Sequence, residues 1–217
     1  MKKARVAVLI SGRGSNLGAL IRATLDPQFP VNIVQVISNL PNVGGLEIAR
    51  ENDIPYSVID QSQYDSRADH EAAIHECLVA CKAEIVCLAG YMRILGDDFV
   101  QNWRGKMINI HPSLLPTFKG IDTHERAIEA GMRIHGCTVH FVSPDLDGGP
   151  IISQAACPVY PNDDAQKLAD RVLELEHDLY PKALKLVADG SIRWSGGVGV
   201  TTGDVDHADI IKMSGVD

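Results

Sequence analysis

The sequence predicts an α/β protein in which a mostly parallel, twisted sheet is flanked by helices, with an antiparallel strand near the C-terminal part. Two observations support this prediction. Short apolar runs alternate with helical patterns over the first half of the chain, and this alternation is typical of βαβ units. Two later strand-like runs, residues 137–142 and 150–156, are joined by the turn-rich sequence SPDLDGG, which suits antiparallel neighbours. The parallel part is therefore expected to be Rossmann-like.

Strands and helices are predicted in alternation along the first half of the chain. The strands cover residues 5–10, 31–38, 56–59, 85–89 and 107–110. The helices cover residues 16–23, 43–51, 67–81 and 97–103. The helix over residues 67–81 has the clearest period, because Ile74, Cys77, Leu78 and Cys81 recur at helical spacing. Asp65 or Ser66 is available as its N-cap.

The second half of the chain ends in a long predicted helix, residues 164–188. Its apolar stripe consists of Leu168, Val172, Leu175 and Leu179. After Gly190 the chain is rich in glycine and polar residues. No linker or break in composition divides the sequence before that point, so we expect a single domain over residues 1–190 and a loosely ordered C-terminal tail over residues 191–217.

Composition and charge narrow the classes of function. The chain has 20 Lys and Arg against 28 Asp and Glu, a formal net charge of −8. This balance argues against a nucleic-acid partner, since such binding usually needs a basic surface. The first apolar run is too short for a signal sequence or a membrane span, and the five cysteines are scattered with no CxxC pair. We therefore expect a cytoplasmic protein with reduced thiols, no metal and no membrane partner; its oligomeric state is left open.

A glycine-rich turn, SGRGSNL at residues 11–17, follows the first strand. Free N–H groups at a helix start favour an anion, and Gly14, Ser15 and Asn16 lie at this start. A dinucleotide fingerprint would have a third glycine at Leu17, and a kinase-type P-loop would have GK followed by Ser or Thr. Neither is present. We favour a single phosphate group as the ligand; the alternative is a plain strand-to-helix turn.

Polar side chains mark the end of the strand over residues 107–110. Asn109 and His111 alternate with Ile110 and so point to one side, where open α/β sheets bind ligands. An amide and an imidazole can together stabilise an oxyanion and transfer a proton. Asp147 lies in DLDGGP, and a carboxylate near His111 would favour the protonated imidazole. The alternatives are a strand-end capping pair and a simple hairpin turn.

Five segments, in the same order, resemble the glycinamide ribonucleotide (GAR) transformylases, which are folate-dependent phosphoribosylglycinamide formyltransferases. The segments are VLISGRGSNL, LAGYMRIL, NIHPSLLPTFKG, HGCTVHFVSPDLDGGPII and RVLELEHDLYP. NIHPSLLP with a downstream LDGGP is similar to enzymes that use formyltetrahydrofolate. The GxGSN turn resembles the branch of these enzymes that uses a ribonucleotide.

The resemblance implies a reaction and a set of site residues. The co-substrate 10-formyltetrahydrofolate would pass its formyl group to the amine of GAR, in an early step of de novo purine biosynthesis. The catalytic residues would be Asn109, His111 and Asp147. The residues that bind the ribonucleotide and its phosphate would be Gly14, Ser15, Asn16, Leu173, Glu174, Leu175 and Glu176. The residues that bind the folate would be Arg67, Met92, Arg93, Ile94, Leu95, Asn109, Ser143, Pro144, Asp145, Leu146 and Asp147.

Ordinary structural roles are the alternatives for several of these residues. For Met92, Ile94 and Leu95 the alternative is core packing or the start of a helix. For Glu176, which lies beside the apolar stripe of its helix, the alternative is a solvated edge position.

One departure from the family pattern concerns residue 122. Many relatives have G-x-H-x-H, whereas this chain has GIDTH, so Asp122 is given no catalytic role. We expect His124 only to cap the following helix and His140 to support the pocket structurally. His135 is left unassigned, and no metal site is expected in the tail.

Other functions share parts of the pattern. A formyltetrahydrofolate hydrolase would share the NIHxS and LDGG segments but usually has an additional N-terminal domain. A methionyl-tRNA formyltransferase would need an RNA-binding C-terminal domain and a basic face. A non-catalytic module that binds folate or nucleotide would not need Asn109, His111 and Asp147 together.

Overall fold

The computed structural model describes residues 2–196, 198–201 and 207–214. The chain divides into two units, residues 1–109 and 110–217, and it passes from one to the other inside a strand. The single domain expected over residues 1–190 stays a prediction.

Parallel strands form the sheet of the first unit. They are β1 (Ala4–Ile10), β2 (Val31–Ser38), β3 (Tyr56–Val58), β4 (Ile85–Leu88) and β5 (Met107–His111), whose last two residues belong to the second unit. Their spatial order is β5-β4-β1-β2-β3. The apolar run of β1 lies at the centre, and its residues from Val6 to Ile10 are fully buried. This matches the continuous hydrophobic pattern of strands that are covered on both faces.

Four α-helices and one short 3-10 helix (Gln61–Gln63) lie between these strands. The α-helices are α1 (Ser15–Thr24), α2 (Gly44–Glu51), α3 (Arg67–Ala80) and α4 (Asp97–Asn102). The hydroxyl of Ser66 accepts the N–H of Asp69 at 3.1 Å, so Ser66 is the N-cap of α3. Ile74 and Leu78 are fully buried, whereas the two cysteines of the predicted stripe are half-buried. The core-facing stripe is therefore narrower than the periodicity predicts.

The second unit contains the antiparallel part of the fold. Its elements are α5 (Thr123–Glu129), β6 (Ile134–Phe141), β7 (Ile151–Pro158), α6 (Ala165–Ala188), β8 (Ile192–Ser195), β9 (Val198–Thr201), α7 (His207–Ile210) and β10 (Ile211–Met213). β6 and β7 pair antiparallel, and β10 lies parallel to β7. The predicted fold class is confirmed, since parallel strands flanked by helices are followed by an antiparallel pair.

Helix α6 covers the sheet of its unit with the predicted stripe. Leu168, Val172, Leu175 and Leu179 are all buried. The side chain of Asp164 accepts the N–H of Lys167 at 2.8 Å and caps the helix. Each fully buried aliphatic side chain stabilises the unit by roughly 1.5–3 kcal/mol.

Regular structure continues past Gly190, in β8, β9, α7 and β10. The loosely ordered tail expected over residues 191–217 falls partly on residues 197, 202–206 and 215–217, which lie outside the described residues, and it stays a prediction. Among the helices of the described segments, none is long and apolar enough to cross a membrane.

Candidate active site

The glycine-rich turn of the first unit has the geometry of an anion site. Gly14 precedes α1 with a left-handed backbone (φ 79°), and no side chain caps the helix there. A Cβ on Gly14 would lie 2.5 Å from the Cα of Gly45, so the turn depends on glycine at this position. Ser15 and Asn16 form the first residues of α1, where backbone N–H groups favour an anion. Phosphate binding at this turn stays a prediction.

A second glycine pair supports this turn. Gly45 donates its N–H to the carbonyl of Gly12 at 3.0 Å, and a Cβ on Gly45 would lie 2.5 Å from Ile10 Cδ1. The sequence pattern offered a signal for this support in the dipeptide Gly44-Gly45 at the start of α2. The role of this dipeptide depends on the packing of α1 against α2, which the sequence around the dipeptide does not reveal.

The predicted folate-binding segment, residues 92–95, lies between β4 and α4 in the first unit. Met92 and Ile94 are 69% and 66% exposed, so the alternative of core packing is wrong for both. Leu95 and Arg93 are half-buried. Arg67, on α3, has its Nε 3.8 Å from Glu71 Oε1.

His111 and Asp147 meet in the second unit. His111 Nδ1 lies 3.5 Å from Asp147 Oδ2, and the imidazole is buried. Its Nε2 lies 3.0 Å from the carbonyl oxygen of Phe118. Because a carbonyl only accepts, Nε2 carries a hydrogen. Nδ1, on the other side of the ring, faces the carboxylate of Asp147.

The backbone around Asp147 holds its carboxylate in place. Gly120 donates its N–H to Asp147 Oδ2 at 2.8 Å, and Asp147 itself has a left-handed backbone (φ 46°). A Cβ on Gly149 would lie 1.8 Å from the carbonyl oxygen of Phe141. The second glycine of the DGG sequence therefore permits the close approach that the loop needs.

His140 lies on the other side of the carboxylate. Its Nε2 is 3.8 Å from Asp147 Oδ1, which is too long for a hydrogen bond, and its Nδ1 donates to the carbonyl of Phe141 at 2.8 Å. Burial lowers the pKa of His140. A neutral ring at this position packs against Asp147 without competing for the proton of His111.

Two further histidines pack close to each other in this unit. The rings of His124 and His135 meet edge to face, with centroids 5.2 Å apart. Burial, and then the neighbouring His124, lower the pKa of His135 to about 4. His124 is the second residue of α5, and Asp122 occupies the N-cap position, so the expectation that His124 caps this helix is wrong. The side chain of Asp122 makes no capping hydrogen bond.

The predicted ribonucleotide residues of α6 do not share one face. Leu175 and Glu176 are buried, Leu173 is half-buried and Glu174 is exposed. The alternative of a solvated edge is wrong for Glu176, which is 6% exposed. Burial raises the pKa of the Cys137 thiol, and the nearby charge of Glu176 adds to this effect. Glu176 therefore lies on the side of α6 that faces β6.

The loop before Asp147 is open to solvent. Pro144, Asp145 and Leu146 are exposed, and Ser143 Oγ donates to the carbonyl of Asp145 at 3.1 Å. Asn109 is half-buried in β5, two residues before His111. The folate and ribonucleotide roles of these residues stay predictions. Among the described residues, no group of three or more His, Cys, Asp or Glu could hold a metal ion.

Comparison with known proteins identifies relatives along most of the chain. A family model described as formyl transferase matches residues 4–184. The phosphoribosylglycinamide formyltransferase of Haemophilus influenzae is 42% identical over 193 residues, which are 89% of this chain and 90% of that protein. The crystal structure of the enzyme of the same name from Anaplasma phagocytophilum has a TM-score of 0.89 at 44% identity, and covers 99% of this chain and 100% of that chain.

A longer relative has a higher identity. The trifunctional purine biosynthetic protein adenosine-3 of Bos taurus is 53% identical over 192 residues, which are 88% of this chain. The chain spans only 19% of that relative's own length.

Proposed function

The chain belongs to the formyl transferase family, and from this premise we propose that it transfers the formyl group of 10-formyltetrahydrofolate to the amine of GAR. The products are N-formyl-GAR and tetrahydrofolate, in de novo purine biosynthesis. The observation that carries the proposal is the contact of 3.5 Å between His111 Nδ1 and Asp147 Oδ2. Asn109 lies two residues before that histidine in β5.

The chemistry requires a charged intermediate to be stabilised. The amine of GAR attacks the formyl carbon, a C–N bond forms, and the formyl oxygen becomes an oxyanion. The amide of Asn109 and the Nδ1 side of the His111 ring donate to that oxygen, since Nε2 is engaged with the carbonyl of Phe118. This lowers the barrier because the charge develops only along the reaction path. Asp147 stabilises the imidazolium.

Collapse of the intermediate needs a proton transfer. The attacking nitrogen loses a proton and the departing folate nitrogen gains one, while the bond between the formyl carbon and that nitrogen breaks. His111 is the group suited to move this proton, since its ring can accept and donate, and Asp147 keeps its Nδ1 oriented. No net oxidation occurs, and the atoms balance between the two substrates and products.

Substrate binding is divided among the predicted residues. The turn at Gly14, Ser15 and Asn16 binds the phosphate of GAR, and the buried carboxylate of Glu176 accepts hydrogen bonds from the ribonucleotide. The exposed apolar side chains of Met92 and Ile94 contact the folate rings. Arg67 and Arg93 meet anionic parts of the folate, and residues 143–147 complete its site.

A single assay separates this function from the alternatives. Tetrahydrofolate release from 10-formyltetrahydrofolate is followed spectrophotometrically with and without GAR. A transferase releases tetrahydrofolate only when GAR is present, a hydrolase releases it in both cases, and a non-catalytic binder releases none. GAR-independent release would refute the proposed transfer.

The cysteines of the chain bear on its location in the cell. We place the chain in the cytoplasm, where reduced thiols are expected for its five free cysteines. Cell fractionation with a specific antibody tests this location. Any further activity of the trifunctional relative is outside the proposal, since the chain spans 19% of that relative's length.

A further inference from the structure

The backbone of the proposed folate-binding segment must be held by contacts from other parts of the unit, which we call fixed points. Residues 89–96 have neither helix nor strand, and the side chains of Met92 and Ile94 are largely exposed. These side chains contribute little packing that would hold the backbone. A binding segment that must become ordered when its ligand binds loses affinity through conformational entropy.

Ser11 supplies a fixed point at the start of this segment. The N–H of Met92 donates to Ser11 Oγ at 2.8 Å, and the same hydroxyl donates to Asn39 Oδ1 at 2.6 Å. Asn39 donates in turn to Gln61 Oε1 at 3.1 Å. Ser11 and Asn39 are both buried. The serine hydroxyl accepts from one neighbour and donates to the other at the same time.

Glu71 supplies a second fixed point at the end of the segment. The N–H of Gly96 donates to Glu71 Oε1 at 2.8 Å, and Arg67 Nε lies 3.8 Å from the same oxygen. Glu71 is 8% exposed. A Cβ on Gly96 would lie 2.8 Å from Glu71 Oε2, so the close approach of this carboxylate uses the missing side chain of glycine.

We propose that Ser11 and Glu71 are positioning residues for folate binding. They hold the two ends of residues 92–96, so that the exposed middle of the segment meets the folate in one conformation. The inference rests on the proposed function, because it assumes that this segment binds folate. Ser11 thereby serves the folate site although its sequence neighbours form the proposed phosphate turn.

The two hydrogen bonds are tested first without any ligand. Hydrogen exchange of single amides is measured by NMR in the wild-type chain, Ser11→Ala and Glu71→Ala. Exchange of the Met92 amide is expected to accelerate in Ser11→Ala, and that of the Gly96 amide in Glu71→Ala. Ser38→Ala is the matched control, since its buried hydroxyl bonds the backbone of Leu40. Unchanged exchange at both amides would overturn the proposal.

Binding is tested next, by calorimetric titration with tetrahydrofolate. Ser11→Ala and Glu71→Ala are each expected to raise its Kd roughly three- to tenfold. Ser11→Thr and Glu71→Gln keep an acceptor and should restore most of the affinity. Glu76→Gln, on the exposed face of α3, should leave the Kd unchanged. If Ser11→Ala does not fold, Ser11→Cys gives the same comparison with a weaker acceptor.

The outcomes separate this inference from the proposed reaction. A wild-type chain that binds tetrahydrofolate but transfers no formyl group would refute the reaction and leave the positioning role intact. Faster amide exchange with a tetrahydrofolate Kd equal to that of the wild type would overturn the positioning role. A wild-type chain that binds no tetrahydrofolate would overturn it as well.

Discussion

The turn after β1 and the histidine centre at the end of β5 are built to handle charge in different ways. The turn uses backbone: Gly14 takes a left-handed conformation before α1, and no side chain caps the helix. The centre uses side chains: His111 and Asp147 are buried against each other and held by backbone groups of Phe118 and Gly120. A backbone site depends on its glycines more than on its side chains, whereas a side-chain site fails when its functional side chains are replaced.

The largest expected effect tests the side-chain half of this comparison. His111→Ala should lower kcat for formyl transfer by roughly 10²–10⁴, because it removes both the proton carrier and a donor to the oxyanion. Tetrahydrofolate should still bind with a Kd close to that of the wild type. His75→Ala, on α3, is the control for loss of an imidazole elsewhere. Turnover of His111→Ala at the wild-type rate would remove this residue from the mechanism.

Replacing the carboxylate of Asp147 is expected to lower kcat less than replacing His111 does. Asp147→Asn keeps the shape of the side chain but removes the negative charge that lies 3.5 Å from His111 Nδ1. We expect kcat to fall by roughly 10–100-fold. Steady-state kinetics measure this fall. A kcat equal to that of the wild type would contradict the electrostatic role.

At the glycine-rich turn after β1, replacing a glycine should have a larger effect than replacing a side chain. Gly14→Ala introduces a Cβ 2.5 Å from Gly45 Cα at a positive φ, so it should raise the KM for GAR more than Ser15→Ala does. We expect roughly a tenfold increase for Ser15→Ala, with little change in kcat or in the KM for the folate. Steady-state kinetics with each substrate varied in turn give this separation. A larger effect of Ser15→Ala than of Gly14→Ala would show that the side chain, and not the backbone, makes the site.

The smallest effect concerns stability and pH in the second unit. The folded-state pKa of His135 is lowered from 6.5 to about 4, so the unfolded chain binds a proton before the folded chain does. The neutral ring therefore makes its full contribution to the free energy of unfolding above pH 6.5. That contribution is lost as the pH falls toward 4. His135→Gln should flatten the pH dependence of the free energy of unfolding in that range, as measured by urea denaturation. If the free energy of unfolding of the variant depended on pH as steeply as that of the wild type, other groups would be responsible for the pH dependence.

Prediction from the sequence succeeded where the signal is local. The strand alternation, the cap of α3 at Ser66 and the buried stripe of α6 all follow from residues within a few turns of each other. The backbone conformation of Gly14 is equally local, whereas phosphate binding at this turn stays a prediction. The roles of Met92 and Ile94 were ambiguous, because an apolar residue in a short segment suits a core and a binding surface equally well, and their exposure decides against the core.

The sequence by itself determined the fold class, the position of the glycine turn and the placement of Asn109 and His111 on one strand. Only the tertiary structure decided that Asp147 meets His111, that Glu176 is buried, and that Ser11 and Glu71 hold the ends of the segment from residue 92 to residue 96. The physical reason is the range of the forces involved. Backbone conformation and hydrophobic period act over neighbouring residues, whereas a contact between side chains far apart in the chain exists only after packing has brought their elements together.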